Sequence, residues 1–428
     1  MSCCGNFLNE LRLFWPSVAS FLVSVDGVIV IARPAICKNP VRERPYFGDT
    51  PMMKLRLFTP GPTMVSPEVM LEMAQPLDHH RTQGFKDMLK ECTELLGYVY
   101  QTKAAPLVLT GSGTAAMEGA ILSVCRPDAK TLVCHSGKFG ERWQKILAKF
   151  KLPHVEIKQP YGHGIKAEMV IEALKKNADV KAVIFVHSET STCAVSEAQG
   201  IAKACRDHGA ISIVDGITSI GAIPFKMDEW GIDIAVTGSQ KALMLPPGLA
   251  FAAVSDRAWQ AIDAYDGPTF YNDLKAFRKS QKDSDVPWTP NNQMVRGLRY
   301  TLRQIKAETI EGVWKRTARL AAGTRAAFKA MGLELYAADP VDSVTGVNVP
   351  AGLDEGAWRK ALRANYGVHI AAGQGELKGK MVRVNHMGYV DDVDTVGAIA
   401  AMEWTLAEAG YKLDVGAGVA AFVKATKA

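Results

Sequence analysis

The sequence predicts an α/β fold in which a mostly parallel sheet is covered by helices. Between residues 107 and 254, short apolar runs alternate with amphipathic segments such as Ala167–Asn177 and Ala198–His208. The runs are nearly all apolar rather than alternating, which indicates strands buried on both faces, and strands that alternate with helices are typical of α/β proteins. The predicted strands are Leu107–Thr110, Thr131–Cys134, His154–Lys158, Ala182–His187, Ile211–Val214, Asp233–Thr237 and Ala250–Val254.

After about residue 308 the pattern changes to that of a smaller C-terminal α+β domain. It predicts a long helix, short strands at Thr345–Val349 and Met381–Val384, and a last helix at about Asp392–Glu408. Since 428 residues exceed one ordinary core, we expect a large domain over 53–308 and a small one over 309–428. The residues predicted on the buried face of the long helix are Val313, Thr317, Leu320, Thr324, Phe328 and Met331.

Residues 1–52 differ from the rest of the chain. A largely apolar segment covers 13–32, but Asp26 makes it a poor membrane span, which wants roughly 20 apolar residues without a central charge. No clear signal cleavage pattern is present, and the region holds more acidic residues than a mitochondrial leader should. We expect a disordered or loosely docked extension, or a misassigned start with Met52 or Met53 as the true beginning.

The composition is that of a soluble globular enzyme, with 48% hydrophobic and 22% charged residues. The net charge of +6 is spread without long runs, which argues against a nucleic-acid partner. Eight cysteines, several inside apolar runs, indicate a reducing compartment, so we expect a cytoplasmic protein. There is no CxxC pair and no Cys/His ligand spacing, so no structural metal is expected.

The segment Thr110–Gly111–Ser112–Gly113–Thr114 follows a predicted strand and opens the predicted helix Ala115–Ser123. Glycines let the backbone approach an anion, the hydroxyl groups add donors, and the helix N terminus supplies unpaired N–H groups. The pattern predicts a phosphate site, although a tight turn capped by Ser or Thr would use the same residues.

Gly111, Gly113 and Ala116 also match the dinucleotide fingerprint G-x-G-x-x-G/A. That fingerprint needs an acidic residue about 20 positions further on, at the end of the second strand. The second strand here ends in Cys134–His135–Ser136–Gly137, which contains no carboxylate. A nicotinamide enzyme is therefore a minor hypothesis.

Asp215 and Lys241 each follow an apolar strand. Asp215 follows Ile211–Val214, where a carboxylate could hold a protonated ring nitrogen or simply form a turn before Gly216. Lys241 lies among small or neutral residues in Thr237–Leu243, which favours a lowered pKa and an amine able to form a Schiff base. The alternative is a lysine that reaches solvent from a strand end.

The three features together are more specific than any of them alone. A phosphate-type loop, a strand-end aspartate and a small-residue-flanked lysine are what pyridoxal phosphate (PLP) requires: a phosphate cradle, a partner for the pyridinium nitrogen and an amine for the aldehyde. The sequence therefore predicts a PLP enzyme.

From about Leu55 to Gly410 the sequence resembles the class V aminotransferases, in particular the alanine–glyoxylate and serine–glyoxylate (or serine–pyruvate) group. The resemblance implies the PLP-dependent transferase fold, fold type I. The matching stretches are Thr59–Thr63, His79–Arg81, Gly111–Thr114, His187–Thr192, Val214–Ser219, Thr237–Leu243 with Pro246–Gly248, and Arg383–Gly388.

The resemblance also implies a role for each matching residue. Lys241 would be the Schiff-base lysine and Asp215 the partner of the pyridine nitrogen. Arg383, whose planar guanidinium suits a bidentate carboxylate, would bind the substrate together with Gly61. The other cofactor contacts would come from Ser112, Gly113, Thr114 and Gln240 at the phosphate, Thr190 at the ring hydroxyl, and Ile217 and Phe139 on the two faces of the ring.

The same resemblance implies a homodimer with shared active sites. Thr289 falls where the family reaches the phosphate of the neighbouring subunit, although Val286–Pro287–Trp288 stands where the family often has a tyrosine. Two other departures occur, because Cys193 and Asn385 replace family glycines. They predict a locally reshaped pocket.

The implied reaction moves an amino group from a small amino acid, alanine or serine, to glyoxylate or pyruvate by a ping-pong mechanism. One alternative is a PLP lyase resembling the cysteine desulfurases, but those need a mobile thiol well after the lysine, and no cysteine follows Cys205. A second alternative is a PLP-binding protein without turnover. Arg383 accepts any α-carboxylate, so the sequence leaves the substrate pair open.

Overall fold

The computed structural model describes residues 53–427, together with the backbone of two paired antiparallel strands, β1 (Phe21–Val25) and β2 (Val28–Ala32). The remainder of the predicted extension 1–52 lies outside the described residues, so that prediction stays open. From Lys54 onward the chain forms one compact unit, which is the subject of everything below. None of the helices described there is long and apolar enough to cross a bilayer.

The compact unit contains thirteen short strands. They are β3 (Arg56–Phe58), β4 (Leu107–Gly111), β5 (Lys130–His135), β6 (His154–Lys158), β7 (Val180–Val186), β8 (Ser188–Glu189), β9 (Ala194–Val195), β10 (Ile211–Asp215), β11 (Ile234–Gly238), β12 (Gly248–Val254), β13 (Val344–Asn348), β14 (Val368–Ala372) and β15 (Met381–Asn385).

Fourteen α-helices accompany them, with one short 3-10 turn at Gly375–Leu377. They are α1 (Pro67–Met73), α2 (Gln83–Tyr100), α3 (Gly113–Val124), α4 (Lys138–Lys149), α5 (Ala167–Lys176), α6 (Ala198–His208), α7 (Met227–Trp230), α8 (Asp256–Asp263), α9 (Leu274–Gln281), α10 (Asn292–Glu308), α11 (Ile310–Ala330), α12 (Glu355–Tyr366), α13 (Asp392–Glu408) and α14 (Ala417–Lys427).

The main sheet has seven strands in the order β4-β12-β11-β10-β7-β5-β6. Only β12 runs against its neighbours β11 and β4; the other pairings are parallel. Alternate residues of the strands other than the edge strand β6 enter two separate apolar clusters, as Phe185 and Ile184 do on β7. Both faces are therefore buried, which confirms the predicted α/β class with a mostly parallel sheet.

A second, four-stranded sheet has the order β13-β15-β14-β3. Its strand β3 precedes the main sheet in the chain, yet it pairs in parallel with β14. The predicted split into 53–308 and 309–428 remains a prediction, and β3 belongs by its pairing to the sheet of the later region. Neither β3 nor β14 was predicted; β3 is only three residues long, and its pairing partner lies far away in the sequence.

The long helix α11 buries the face that the sequence predicts. All six predicted residues, from Val313 to Met331, are buried. The helix predicted to be the last, α13, is followed by α14, which the sequence analysis missed. The Phe422 side chain of α14 is buried against α11 at Gly323, where a Cβ atom would lie 2.6 Å from the ring. The absence of a side chain at Gly323 lets the two helices pack closely.

The sheet topology brings the candidate loops to one edge. Strands β10 and β11 are parallel, and β4 runs in the same direction as β11 because β12 is antiparallel to both. The carboxyl ends of these three strands, where Gly111, Asp215 and Gly238 lie, consequently share one edge of the sheet. Open α/β sheets bind ligands at this edge.

Candidate active site

Lys241 lies three residues beyond β11 with only 9% of its surface exposed. Its Nζ atom donates a hydrogen bond to the carbonyl oxygen of Pro60 at 2.8 Å, and the hydroxyl of Thr63 donates to the Lys241 carbonyl at 2.8 Å. Burial lowers the pKa of Lys241 to about 8; nearby Arg383 lowers it further, whereas Asp215 opposes the shift. The site therefore holds an amine that can gain or lose a proton near neutral pH.

Gly61 faces this amine directly. Its φ of +138° lies in the region that favours glycine, and a Cβ atom there would lie 2.0 Å from Nζ of Lys241. Any side chain at position 61 would therefore occupy the space of the lysine amine. The sequence assigned Gly61 to substrate binding by resemblance, and the structure brings it into contact with Lys241.

Asp215 ends β10 and is 3% exposed. Its Oδ2 accepts a hydrogen bond from Nε1 of Trp143 at 3.0 Å, and its Oδ1 accepts one from the backbone N–H of Ile217 at 3.0 Å. Burial raises the pKa of Asp215, while these two donors and the cations of Arg142 and Lys241 act in the opposite direction. Trp143 was missed by the sequence analysis, although it lies one helical turn after Phe139, to which the resemblance gave a role.

Small residues and a free amide surround the loop at the start of α3. Ser112 is exposed and, although it precedes α3 at the capping position, its hydroxyl makes no capping bond. A Cβ atom on Gly238 would lie 3.0 Å from Oε1 of Gln240 and 3.4 Å from the backbone nitrogen of Gly113. Oε1 of Gln240 is buried without a hydrogen-bond partner among the described residues. Because amide N and O positions are interchangeable, this end of Gln240 can present its NH₂ group to an anion.

These features fit a phosphate group. The hydroxyl of Ser112, the backbone of Gly113 at a helix N terminus and the amide of Gln240 are free to contact one. Thr114 is the next residue of α3, and its hydroxyl accepts a hydrogen bond from Arg142 at 3.3 Å. A Cβ atom on Gly113 would also meet the side chain of Ile217 at 2.7 Å, so the cradle directly adjoins Ile217.

Phe139 is half-buried in the first turn of α4, with the guanidinium of Arg142 lying 5.0 Å from its ring centre. The start of α4 is held by Glu189, whose carboxylate accepts from the backbone nitrogens of Phe139 and Gly140 at 3.4 and 2.9 Å. Neither Arg142 nor Glu189 was given a role from sequence. Glu189 does stand inside the quoted motif His187–Thr192, which was the available signal.

Thr190 belongs to a buried hydroxyl network. Its Oγ1 lies 2.7 Å from Oγ1 of Thr218. Oγ1 of Thr218 in turn lies 3.0 Å from both the carbonyl oxygen and the hydroxyl oxygen of Ser188. Thr218 was likewise missed, although it lies in the quoted stretch Val214–Ser219. The network connects the loop after β10, which carries Ile217, to the loop that carries Thr190.

Arg383, on β15, is 4% exposed and held only by backbone carbonyls. Its Nε and Nη2 donate to the Ala372 oxygen at 3.0 and 2.8 Å, and its Nη1 donates to the Thr190 oxygen at 2.9 Å. It forms no ion pair with any acid in 53–427. Burial lowers the pKa of Arg383. A buried guanidinium that forms no ion pair can accept an anionic ligand through charge-assisted hydrogen bonds.

The two residues that the resemblance predicts to replace glycines both fit locally. Cys193 adopts φ +59°, the left-handed region that glycine favours, and its thiol lies 3.9 Å from the Thr190 oxygen. Asn385 is buried and closes a tight turn, donating from Nδ2 to the Met387 oxygen at 2.7 Å and accepting from the Met387 nitrogen at 3.2 Å.

The structure does not bring Thr289 into the cluster. Thr289 is exposed, and its hydroxyl makes no hydrogen bond to the residues from 53 to 427. The adjacent Trp288 packs against Phe270 and Tyr271, with ring centres 5.0 and 6.0 Å apart, and its Nε1 donates to the Tyr271 oxygen. The other candidate residues surround one site, whereas Thr289 is exposed on the surface of the chain.

Comparison with known proteins shows which family the chain matches. The family model described as "Aminotransferase class-V" matches residues 56–390. The small subunit of the soluble hydrogenase of Synechococcus sp. is 37% identical over 86% of this chain and 97% of that protein. The serine–glyoxylate aminotransferase of Methylorubrum extorquens is 35% identical over 85% of this chain and 94% of that protein.

The solved structures agree with the sequence matches. The crystal structure of ureidoglycine–glyoxylate aminotransferase from Bacillus subtilis superposes with a TM-score of 0.83 at 29% identity. It covers 89% of this chain, and this chain covers all of it.

Proposed function

The chain belongs to the class-V aminotransferase family, and we propose that it moves an amino group from a small amino acid, alanine or serine, to glyoxylate or pyruvate, with PLP as its cofactor. The observation that carries the proposal is Arg383. A buried guanidinium, aligned by three bonds to backbone carbonyls and lacking an acidic partner among the described residues, suits the α-carboxylate that every amino acid and 2-oxo acid presents. It lies close enough to Lys241 to lower the pKa of that amine.

The residues of the site divide the work of holding PLP. Ser112, Gly113, Thr114 and Gln240 would hold the phosphate, Asp215 the pyridine nitrogen, Thr190 the ring hydroxyl, and Ile217 and Phe139 the ring faces. The bonds from Trp143 and Ile217 favour the charged form of Asp215, which keeps a protonated ring nitrogen in place. When bound, PLP supplies the electron sink that amino-acid chemistry at Cα requires.

The protein supplies orientation and proton transfer. Arg383 fixes the carboxylate of the substrate and thereby orients its Cα–H bond. Lys241, with a pKa of about 8, is matched to taking a proton from Cα with its Nζ atom and returning it. The carbonyl of Pro60 holds that Nζ atom on the side of Gly61, and burial excludes water from it.

The relatives favour glyoxylate as the acceptor. The names of the Methylorubrum enzyme and the Bacillus structure share glyoxylate and differ in the amino donor, serine in one and ureidoglycine in the other. The donor is therefore the less constrained half of the proposal. Alanine and serine are proposed because the second basic residue at the site, Arg142, is exposed and contacts Phe139 and Thr114, so no basic residue is assigned to a distal carboxylate.

A homodimer with shared sites is part of the proposal. Thr289 is exposed on this subunit, which is the condition for reaching the phosphate of a neighbouring subunit. Mixing Lys241→Ala and Thr289→Ala subunits tests it. If Thr289 acts across the interface, one site of each mixed dimer combines Lys241 of one subunit with Thr289 of the other, and that site binds PLP with wild-type affinity. No increase in PLP binding on mixing would contradict the proposal.

We also propose that the protein works in the cytoplasm. The five cysteines among the described residues, Cys92, Cys125, Cys134, Cys193 and Cys205, are all buried and unpaired. Such thiols suit a reducing compartment. Fractionation of the native host with a marker of each compartment checks this.

The central experiment is a donor panel on the purified protein loaded with PLP. Alanine, serine, aspartate and cysteine are added singly, and the visible absorbance of the bound cofactor is followed; glyoxylate or pyruvate is then added. Transamination predicts a donor-dependent shift to the pyridoxamine form that the 2-oxo acid reverses, with stoichiometric keto acid. Release of sulfide without that shift would favour a lyase, and no shift with any donor a non-catalytic PLP protein.

A further inference from the structure

Glu189 is a buried carboxylate bound only by neutral donors. It is 1% exposed and receives hydrogen bonds from the backbone nitrogens of Gly140, Phe139 and Ser191 at 2.9, 3.4 and 3.0 Å, and from the Ser191 hydroxyl at 2.5 Å. No lysine or arginine pairs with it among the described residues. Burial raises the pKa of Glu189 and nearby Asp215 adds to the shift, whereas the hydrogen bonds from Ser191 and Gly140 favour the charged form.

The two loops that meet at Glu189 pack without space between them. A Cβ atom on Gly137 would lie 2.4 Å from the Ser191 hydroxyl and 2.5 Å from Cγ and Cδ of Glu189. The backbone nitrogen of Lys138 also donates to the Ser191 hydroxyl at 2.8 Å. The turn before α4 is therefore bound to the segment 189–191 through the Glu189 carboxylate and the Ser191 hydroxyl.

These loops carry groups that contact the cofactor and the substrate in the proposed function. The first turn of α4 carries Phe139. The segment 189–191 carries Thr190, whose hydroxyl joins Thr218 and whose carbonyl accepts from Arg383 at 2.9 Å. One side chain thus connects a ring face, the ring hydroxyl partner and the substrate guanidinium.

We propose that Glu189 is a positioning residue that fixes Phe139 and Thr190 relative to each other. Through the carbonyl of Thr190 it also fixes the position of Arg383. The inference rests on the proposed function, since it concerns the orientation of cofactor and substrate. A carboxylate suits the place because it only accepts, and its two oxygens take all four donors. A glutamine of the same shape would turn an NH₂ group toward N–H donors and lose at least one bond.

The test uses Glu189→Gln, with Glu197→Gln as the matched control. Glu197 also accepts a backbone N–H at a helix start, from Ala167 at 3.1 Å, but touches none of the cofactor residues. Three readouts are compared: amide hydrogen exchange of peptides spanning 137–142 and 188–192 in cofactor-free protein, visible circular dichroism of bound PLP, and the split between KM and kcat.

For Glu189→Gln we expect the amide exchange rate in both peptides to rise at least about tenfold and the visible dichroism of bound PLP to fall by half or more. The donor KM should rise about tenfold or more, which is the effect of losing one hydrogen bond to a charged group. Glu197→Gln should change none of these. If Glu189→Gln does not fold, Glu189→Asp, which keeps a carboxylate on a shorter side chain, is measured instead and should raise exchange in both peptides and the donor KM above the wild-type values. Wild-type exchange in both peptides, or equal changes in Glu197→Gln, would overturn the inference.

The readouts separate this inference from the proposed function. Hydrogen exchange needs neither PLP nor turnover, so it tests Glu189 even if the donor panel shows no transamination. Conversely, normal exchange in Glu189→Gln would leave the donor panel intact.

Discussion

The Cα atom of Gly61 is so close to Lys241 that a Cβ atom would lie 2.0 Å from the lysine Nζ. A methyl group at position 61 therefore has to displace the amine. We expect Gly61→Ala to reduce turnover about 100-fold or more, because small misplacements of a reacting group have effects of that size. Visible absorbance of the bound cofactor and the transamination rate measure it.

The control for that variant is Gly352→Ala. Gly352 also has a positive φ, +83°, but a Cβ atom there would meet nothing within 4 Å. It reproduces the backbone strain without the contact to the amine. Equal activity losses in both variants would show that strain, and not the space of Nζ, is responsible.

Burial of the Lys241 charge should destabilise the cofactor-free protein below pH 8. The folded pKa is about 8 against 10.5 for the ordinary lysine, so between these values the unfolded chain binds more protons and stability rises with pH. We expect Lys241→Met to raise the free energy of unfolding by roughly 3 kcal/mol at pH 7, with the gain fading toward pH 10.5. Urea unfolding from pH 7 to 10 measures it.

The exposed Lys203, which pairs with Asp207 at 2.6 Å, gives the matched control. Lys203→Met should not reproduce the pH-dependent gain. If Lys241→Met raises the free energy of unfolding by the same amount at every pH, the lysine charge is not the cause of the effect.

Arg383→Lys should impair substrate binding much more than cofactor binding. An ammonium cannot keep the bonds to both Ala372 and Thr190 and also present a planar fork to a carboxylate. We expect the donor KM to rise roughly 10- to 100-fold, as for the loss of one charge-assisted hydrogen bond. Arg303→Lys, which alters an exposed bidentate pair with Glu91, should leave KM unchanged. A normal KM in Arg383→Lys would remove Arg383 from the substrate site.

His187 should make the fold sensitive to acid. It is buried between Phe225 and Trp230, at ring-centre distances of 5.8 and 5.7 Å, and burial lowers its pKa to about 4. Between pH 6.5 and 4 His187 is protonated in the unfolded chain but neutral in the folded one, so the free energy of unfolding falls as the pH falls. The contribution of neutral His187 is complete above pH 6.5 and is lost as the pH falls through 4. We expect His187→Phe to reduce the slope of the free energy of unfolding against pH by about 1.4 kcal/mol per pH unit between pH 6.5 and 4.

Denaturant unfolding at several pH values, with and without the substitution, measures the effect. The half-exposed His163 provides the control substitution, His163→Phe. Parallel stability curves for wild type and His187→Phe would rule out His187 as an origin of the acid sensitivity.

Many strands and helices could be predicted because the patterns that indicate them lie within short stretches of sequence. The apolar runs that became β5, β7 and β10 are buried on both faces, and α6 and α13 begin and end where the sequence predicts. Two of the missed elements depend on distant partners. Strand β3 is three residues long and pairs with β14, and α14 is held by its packing on α11.

The sequence by itself determined which chemical groups the site contains: a lysine and an aspartate after buried strands, a glycine-rich turn before a helix, and an arginine on a late strand. Only the tertiary structure decided what holds those groups. Pro60 meets Lys241 across 181 positions, Trp143 meets Asp215 across 72, and Glu189 meets Phe139 across 50. The physical reason is that local patterns report burial and backbone conformation, whereas hydrogen bonds between loops depend on how the sheet brings its strand ends together.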